Sequence, residues 1–231
     1  MHSFQEKDYD KAVQSLISRF NLKAAIFDLD GTLINNNHYH LLAWQQYLLN
    51  NGISITEEEY NAHFNGRTNK DVIQYIYKEP LTPEAINRYA LEKEALYREM
   101  YEAHIKPIDG LIDFLAALHR HDIPMAIATS GIQVNIDFMF SHIPIKQYFP
   151  VVVNSSHISK GKPDPEIYLK AASLLNIPAE NCLVFEDAIV GILSARSAGM
   201  QVVALNTTEE REALFQADLI IENYLPGNFD V

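Results

Sequence analysis

Cysteine is almost missing. Cys182 is the only one in 231 residues. It sits in the apolar run "NCLVFED" and reads as a buried, reduced thiol of a cytoplasmic protein. Basic residues are also scarce: 18 Lys and Arg stand against 30 Asp and Glu, a formal net charge of −12. A nucleic-acid binder needs a basic face, so this balance speaks against that class. It leaves a small anionic ligand open, because a pocket can differ in sign from the whole chain. No run is long and apolar enough to span a bilayer. The start, "MHSFQEKDYD", has no apolar stretch of signal-peptide type. A soluble protein is expected, with no membrane partner; a monomer is favoured and oligomers are left open. No Gly-rich dinucleotide loop or Walker-type loop occurs. No internal repeat is visible, and the only low-complexity tract is "NNN" at 35–37.

What is present is enough for a core, since 48% of the residues are apolar. Near-continuous apolar strands are expected at 24–27, 123–129, 149–154, 181–187, 201–206 and 217–221. Helices are expected between the later ones, at 110–121, 132–141, 165–176, 188–198 and 209–216. This alternation predicts an α/β fold: a Rossmann-like parallel sheet with helices on both faces. Residues 35–105 differ. They show four helical stretches, 38–50, 56–64, 69–79 and 83–104, and no convincing strand. The division that follows is a catalytic core of 22–34 and 106–231, a helical cap of 35–105 and an N-terminal extension of 1–21. In the extension Val13, Leu16, Ile17 and Phe20 have helical spacing.

In an open parallel sheet, ligands bind beyond the carboxyl ends of the strands. "AAIFDLDGTL" puts Asp28 and Asp30 there, "MAIATSG" puts Thr129 and Ser130, "KGKPDP" puts Lys162, and "LVFED" puts Glu186 and Asp187. Several acids at one place need a cation. Few, hard oxygen ligands suit Mg²⁺, which keeps waters and takes phosphate oxygens. Asp28 and Asp187 are the natural direct ligands, with Asp30 beside them and Glu186 as support. Lys162 offsets the acids and can bind phosphate. Asp28 can attack phosphorus as a carboxylate nucleophile. Asp30 can protonate the leaving oxygen and then activate water. Each piece alone is an ordinary turn or solvated strand end; their joint placement is what argues for a site.

The pieces "FDLDGT", "IATSG", "GKPDPEIY" and "VFEDAIVGILSARSAGM" resemble the haloacid-dehalogenase-like superfamily, and its β-phosphoglucomutase-like branch in particular. The resemblance implies a Rossmann-like core with an inserted helical cap. It implies a Mg²⁺-assisted aspartyl-phosphate mechanism with Asp28 as nucleophile and Asp30 as acid/base. Thr129 and Lys162 match its phosphate-binding positions, and Glu186 with Asp187 its acidic metal motif. Within the branch, His40, Trp44 and Lys93 match cap residues of the sugar-phosphate mutases, although cap packing would explain each equally well. "FNGRTNKD" matches the specificity loop, with a departure. The mutases carry Arg where this chain has Asn69; Arg67 lies two residues earlier and could substitute. Asn35 likewise replaces a commonly acidic hinge residue.

Three functions are compatible with these motifs. The first is a phosphatase for a small phosphorylated metabolite such as a sugar phosphate. The second is a β-phosphoglucomutase-type isomerase, which must hold two phosphates. The third is a phosphorylatable receiver module, in which Asp30 and the helical insertion have no place. Asn69 lacks the charge a second phosphate needs, which favours the phosphatase.

Overall fold

The computed structural model describes residues 2–229. The elements run α1 (His2–Phe20), β1 (Ala24–Phe27), α2 (Asn37–Asn50), α3 (Glu57–His63), α4 (Asn69–Tyr77), α5 (Pro83–Tyr101), α6 (Leu111–Arg120), β2 (Met125–Ala128), α7 (Gln133–His142), β3 (Val151–Val153), α8 (Glu166–Leu175), β4 (Cys182–Glu186), α9 (Ile189–Ser197), β5 (Gln201–Leu205) and β6 (Leu219–Ile221). All strand pairs are parallel, in the order β3-β2-β1-β4-β5-β6. This is the α/β fold expected from the sequence.

β1 lies at the middle of the sheet, buried on both faces. Ala25 and Phe27 join one core with α1 and α6, while Ala24 and Ile26 join another with α8 and α9. The period of two sorts them. Phe27 stacks on Phe185 at 4.6 Å, its partner in the β1–β4 register. That register sets Asp28 beside Glu186. Phe27 also pairs with Ile127, which brings the end of β2 and Thr129 to the same edge. The order of connection reverses between β1 and β4, the place where ligands bind in doubly wound sheets.

The chain leaves the sheet after Ile34 and returns at Pro107, where the two residues form an antiparallel bridge. Helices α2–α5 lie between them around a cluster that includes Trp44, Tyr47, Phe64 and Ile73. α1 packs on α6 and on the turn at Pro226–Phe229, burying Tyr9, Val13, Leu16 and Phe20. Cys182 is buried and unpaired among the described residues. One expected element fails. Residues 209–216 do not form an α-helix; only a 3-10 turn forms, at Arg211–Leu214. Leu214 is buried but Phe215 is 75% exposed, so the segment has one anchor and no apolar stripe to stabilise a longer helix. Among the described residues, no helix is long and apolar enough to cross a membrane.

Candidate active site

Every candidate site residue except Lys162 lines one small cavity, of about 50 Å³, between the sheet edge and the helical insertion; the hinge residue Asn35 lies outside it. Lys162 lies behind Asp28. Its Nζ donates to Asp28 Oδ1 at 2.6 Å and to Glu186 Oε1 at 2.5 Å. It thus neutralises two carboxylates rather than forming the cavity wall. Glu186 has both oxygens engaged: Oε1 also accepts from the Tyr168 hydroxyl, and Oε2 accepts from the N–H groups of Asp187 and Ala188. Its place is to hold Lys162 and the loop, in keeping with a supporting role and not with an open metal ligand.

Asp28 keeps Oδ2 without a protein hydrogen bond among the described residues. Burial, with Glu186 and Asp30 nearby, pushes its carboxyl up to about 8 despite Lys162. Asp187 is pushed upward too, by burial and then by Glu186 and Asp28. Thr32 donates to Asp187 Oδ1, and Asn37 and Thr208 donate to Oδ2. Asp187 and Asn37 both crowd Gly31, where a Cβ would collide with them and where φ is +74°. Only glycine fits that turn.

Asp30 behaves oppositely. Burial would raise its carboxyl, but His40 and the Asn36 amide hold it below its ordinary value. Asn36 Nδ2 donates to Asp30 Oδ1 at 2.6 Å. Lys93, itself buried, donates to His40 Nδ1 at 2.7 Å. An ammonium has no lone pair, so the ring hydrogen is left on Nε2. That atom approaches Asp30 Oδ1 at 3.4 Å, too far for a well-formed hydrogen bond. His40 also stacks on Tyr97 at 3.8 Å. The row Lys93–His40–Asp30 can hand a proton toward the cavity. Burial lowers the Lys93 ammonium even though Glu94 counters it, which favours release of such a proton.

Thr129 Oγ1 accepts from Gly131 N at 2.9 Å, so its hydroxyl hydrogen is free to give. Ser130, a candidate substrate ligand, lines the cavity with its hydroxyl already engaged. Its hydroxyl donates to Gly66 O at 2.8 Å and ties the insertion to the sheet edge. Gly66 has φ +71° and a Cβ there would strike Val190, so the loop can approach this closely only with glycine. Thr68 caps α4 by accepting from Asp71 N at 3.2 Å, which turns Arg67 and Asn69 toward the cavity. Arg67 N donates to Phe64 O at 3.1 Å, but no hydrogen bond or ion pair holds its guanidinium among the described residues. Trp44 packs edge-on against Phe64 and under Lys93, so it is cap packing and cavity wall at once.

A family model described as haloacid dehalogenase-like hydrolase matches residues 25–205. The chain belongs to this family. The haloacid dehalogenase-like chain is 31% identical over 201 residues to validoxylamine A 7'-phosphate phosphatase of Streptomyces hygroscopicus subsp. limoneus, covering 87% of this chain and 93% of that protein. It is 27% identical over 209 residues to β-phosphoglucomutase of Bacillus subtilis, covering 87% and 89%. A crystal structure of a family IA, variant 3 hydrolase of Entamoeba histolytica superposes with a TM-score of 0.78 at 32% identity, over 91% of this chain and 100% of that one.

Several residues of this haloacid dehalogenase-like site escaped the sequence reading. Asn36, Asn37 and Thr208 hold Asp30 and Asp187; the signal available was the "NNN" tract, which reads as low complexity. Glu94 was also missed. It accepts from Lys93 at 3.0 Å and Asn69 at 2.8 Å through Oε1, and from Asn135 at 2.8 Å through Oε2. Burial alone would raise its carboxyl; Lys93, His40 and the two amides instead bring it from 4.5 down to about 2. An acid with a depressed folded value stabilises fully above its unfolded value and loses that contribution as pH falls. The stability difference between wild type and Glu94→Gln should therefore be largest above about pH 4.5 and shrink toward pH 2. Urea unfolding of both proteins across this range checks it. A pH-independent difference would contradict the ion pair.

The donor set can be matched against a divalent cation. Among the described residues no three His, Cys, Asp or Glu gather as a metal cage. Two carboxylates, Asp28 and Asp187, stand together, and burial with mutual repulsion pushes both carboxyls upward. A cation completed by water and substrate oxygens would relieve that repulsion. Mg²⁺ binds in this manner, so the residues fit it.

Proposed function

We propose that this chain is a Mg²⁺-dependent phosphatase for a small phosphorylated metabolite such as a sugar phosphate. Residues 22–34 and 106–231 form its catalytic core, and residues 35–105 its cap. The observation that carries this reading is the pairing of opposed carboxylates. Asp28 has a free oxygen beside Asp187 and Lys162, while Asp30 sits on the proton row from Lys93. Asp28 Oδ2 attacks phosphorus, and the ester oxygen leaves with a proton that Asp30 receives from the Lys93–His40 row and passes on. Water then gives a proton back to Asp30 and attacks the phosphoaspartate, releasing phosphate and restoring Asp28. Thr129 donates to a phosphoryl oxygen. Asp28 and Asp187 would hold Mg²⁺, which supplies charge stabilisation to the phosphoryl group.

The test is a screen of sugar phosphates, nucleotides and pyrophosphate with Mg²⁺, run beside a coupled mutase assay with β-glucose 1-phosphate and a bisphosphate primer. Phosphate release without isomerisation supports the phosphatase; isomerisation in the primed assay supports the mutase instead. Chelation with EDTA should abolish turnover, Mg²⁺ should restore it, and Ca²⁺ should inhibit, because its looser, larger coordination spoils in-line alignment. Full activity in excess chelator would refute the cation site.

Arg67 provides a second expectation. Arg67→Ala should lower kcat/KM on the true substrate roughly ten- to hundredfold, the loss of one charge-assisted contact of about 1.5–3 kcal/mol. On p-nitrophenyl phosphate the loss should be much smaller, because its leaving group needs no help from remote binding. Equal losses on both substrates would make Arg67 a packing residue.

A further inference from the structure

Helix α5 of the cap grips one side chain of the core from both ends. Arg98 donates to Asn135 Oδ1 at 2.8 Å, and Asn135 Nδ2 donates to Glu94 Oε2 at 2.8 Å. Asn135 sits in the first turn of α7, the helix that follows Thr129 and Ser130. It is 4% exposed, and Glu94 is 2% exposed. An amide suits this place, because it accepts from a guanidinium and donates to a carboxylate at once. Glu94 and Arg98 have the i, i+4 spacing at which a glutamate and an arginine on one helix pair directly. Here they do not. The ion pairs of Glu94 run to Lys93 and His40, and Asn135 bridges Glu94 to Arg98 instead.

Glu94 in turn anchors the proton row. Its Oε1 takes Lys93 Nζ at 3.0 Å and Asn69 Nδ2 at 2.8 Å, while Lys93 reaches His40 Nδ1 at 2.7 Å. All of these residues belong to the cap; Asn135 alone belongs to the core. The cavity is about 50 Å³, well under the roughly 300 Å³ at which ordinary small-molecule pockets begin. The cap must therefore lift off the sheet edge to admit an ester. In lifting, it draws Glu94 and Arg98 away from Asn135.

We infer that Asn135 is a positioning residue that reports closure of the cap to the proton row: docked, it keeps Glu94 on Lys93 and Asn69; withdrawn, it lets Glu94 turn to Arg98, and Lys93 loses its anchor behind His40. This rests on the acid/base role of Asp30 in the reading above. The exchange needs no outside partner. A carboxylate oxygen that loses its donor takes the nearest free one. The Arg98 guanidinium, released by the same motion, lies one turn along α5. The row is thus complete only while the substrate is enclosed.

Phenyl phosphate and p-nitrophenyl phosphate test this, because they share a ring and differ in how much the leaving oxygen needs a proton. The quantity read is kcat/KM on each, which reports formation of the phosphoenzyme, the step in which the acid acts. Asn135→Leu should lower it about tenfold or more further on phenyl phosphate than on p-nitrophenyl phosphate, part of the roughly 10²–10⁴-fold that a positioned acid supplies. A role in cap packing alone would lower both equally. Adding Arg98→Met should restore most of the phenyl phosphate loss, because Glu94 then has nowhere to turn. A merely damaged protein does not recover when a second side chain is cut back. Equal losses on the two esters, or no recovery with Arg98→Met, overturn the inference. If Asn135→Leu does not fold, Asn135→Ser replaces it, with a side chain too short to reach Glu94, and the same outcomes are read. A crystal structure of the variant gives a readout independent of turnover. It should show Glu94 within about 4 Å of Arg98, an ion-pair distance, and withdrawn from Lys93. Glu94 still seated on Lys93 and Asn69 overturns the inference at any level of activity. A wild-type protein that turns over neither ester sinks the phosphatase reading instead, and the crystallographic outcome still decides this one.

Discussion

Asp28→Asn should lower turnover by roughly 10⁴-fold or more, as loss of a nucleophile does elsewhere, and leave the protein folded. The amide oxygen can still accept from Lys162, so the side chain keeps its place. It cannot form an acyl phosphate. The substitution also removes a charge from a crowded cluster. The Asp28 carboxyl is raised from 3.8 to about 8 in the fold. An acid raised in this way binds its proton more tightly when folded. The metal-free wild type therefore loses stability as pH rises from 3.8 toward 8 and no further above it. The amide of the Asp28→Asn variant does not titrate and carries no such penalty, so the variant's advantage in EDTA should grow over that range and then level off. Single-turnover trapping of phosphoenzyme and urea unfolding at several pH values measure both effects. Turnover within tenfold of wild type would sink the covalent mechanism.

Lys162→Met should be the most destabilising single change at the site, by about 3–5 kcal/mol. For a chain of this size that is a drop in Tm of roughly 6–20 °C. Its ammonium is the one cation within hydrogen-bond reach of both Asp28 and Glu186 among the described residues, and both carboxylates are buried. Removing it leaves two buried acids in low dielectric with no cation beside them, Glu186 among them as a charge. The double change Lys162→Met with Glu186→Gln should recover part of the stability, because that stranded charge goes with it. Activity should not return, since Asp28 still lacks its counter-charge. Thermal melts of the three proteins decide this. A single-variant loss below about 1 kcal/mol would mean that the carboxylates are compensated by something other than Lys162.

Much of this architecture is legible in the chain because short-range rules govern it. Buried apolar runs that end in acids announce both the strands and the edge where the acids meet. Pro165 and Asp164 announce α8, and Asp164 does accept from Glu166 N at its start, at 3.1 Å. What escapes the eye depends on long-range placement. Asn36 and Asn37 have no periodicity; their worth appears only once the turn folds them onto Asp30 and Asp187. Lys93 invites attention and Glu94 does not, because neighbours on a helix point apart. Their charged ends nevertheless meet at 3.0 Å, drawn together by burial. Asn69 stood out as a missing charge, but its partner lies 25 residues away on another helix. The segment at 209–216 misled because its composition suits a helix, while only Leu214 has a core to face.

Ile34 and Pro107 pair side by side, and Ile108 N bonds back to Leu33 O at 3.0 Å. The two mouths of the helical tract are thus adjacent, a few ångströms apart as in any antiparallel pair. A tract with adjoining mouths behaves as a cartridge. It can be shortened, enlarged or exchanged while Ala25 stays on Met125 and Phe27 on Phe185. Selection can then rewrite which ester is admitted without disturbing how phosphorus is attacked, and a designer can do the same by grafting another tract between these two residues.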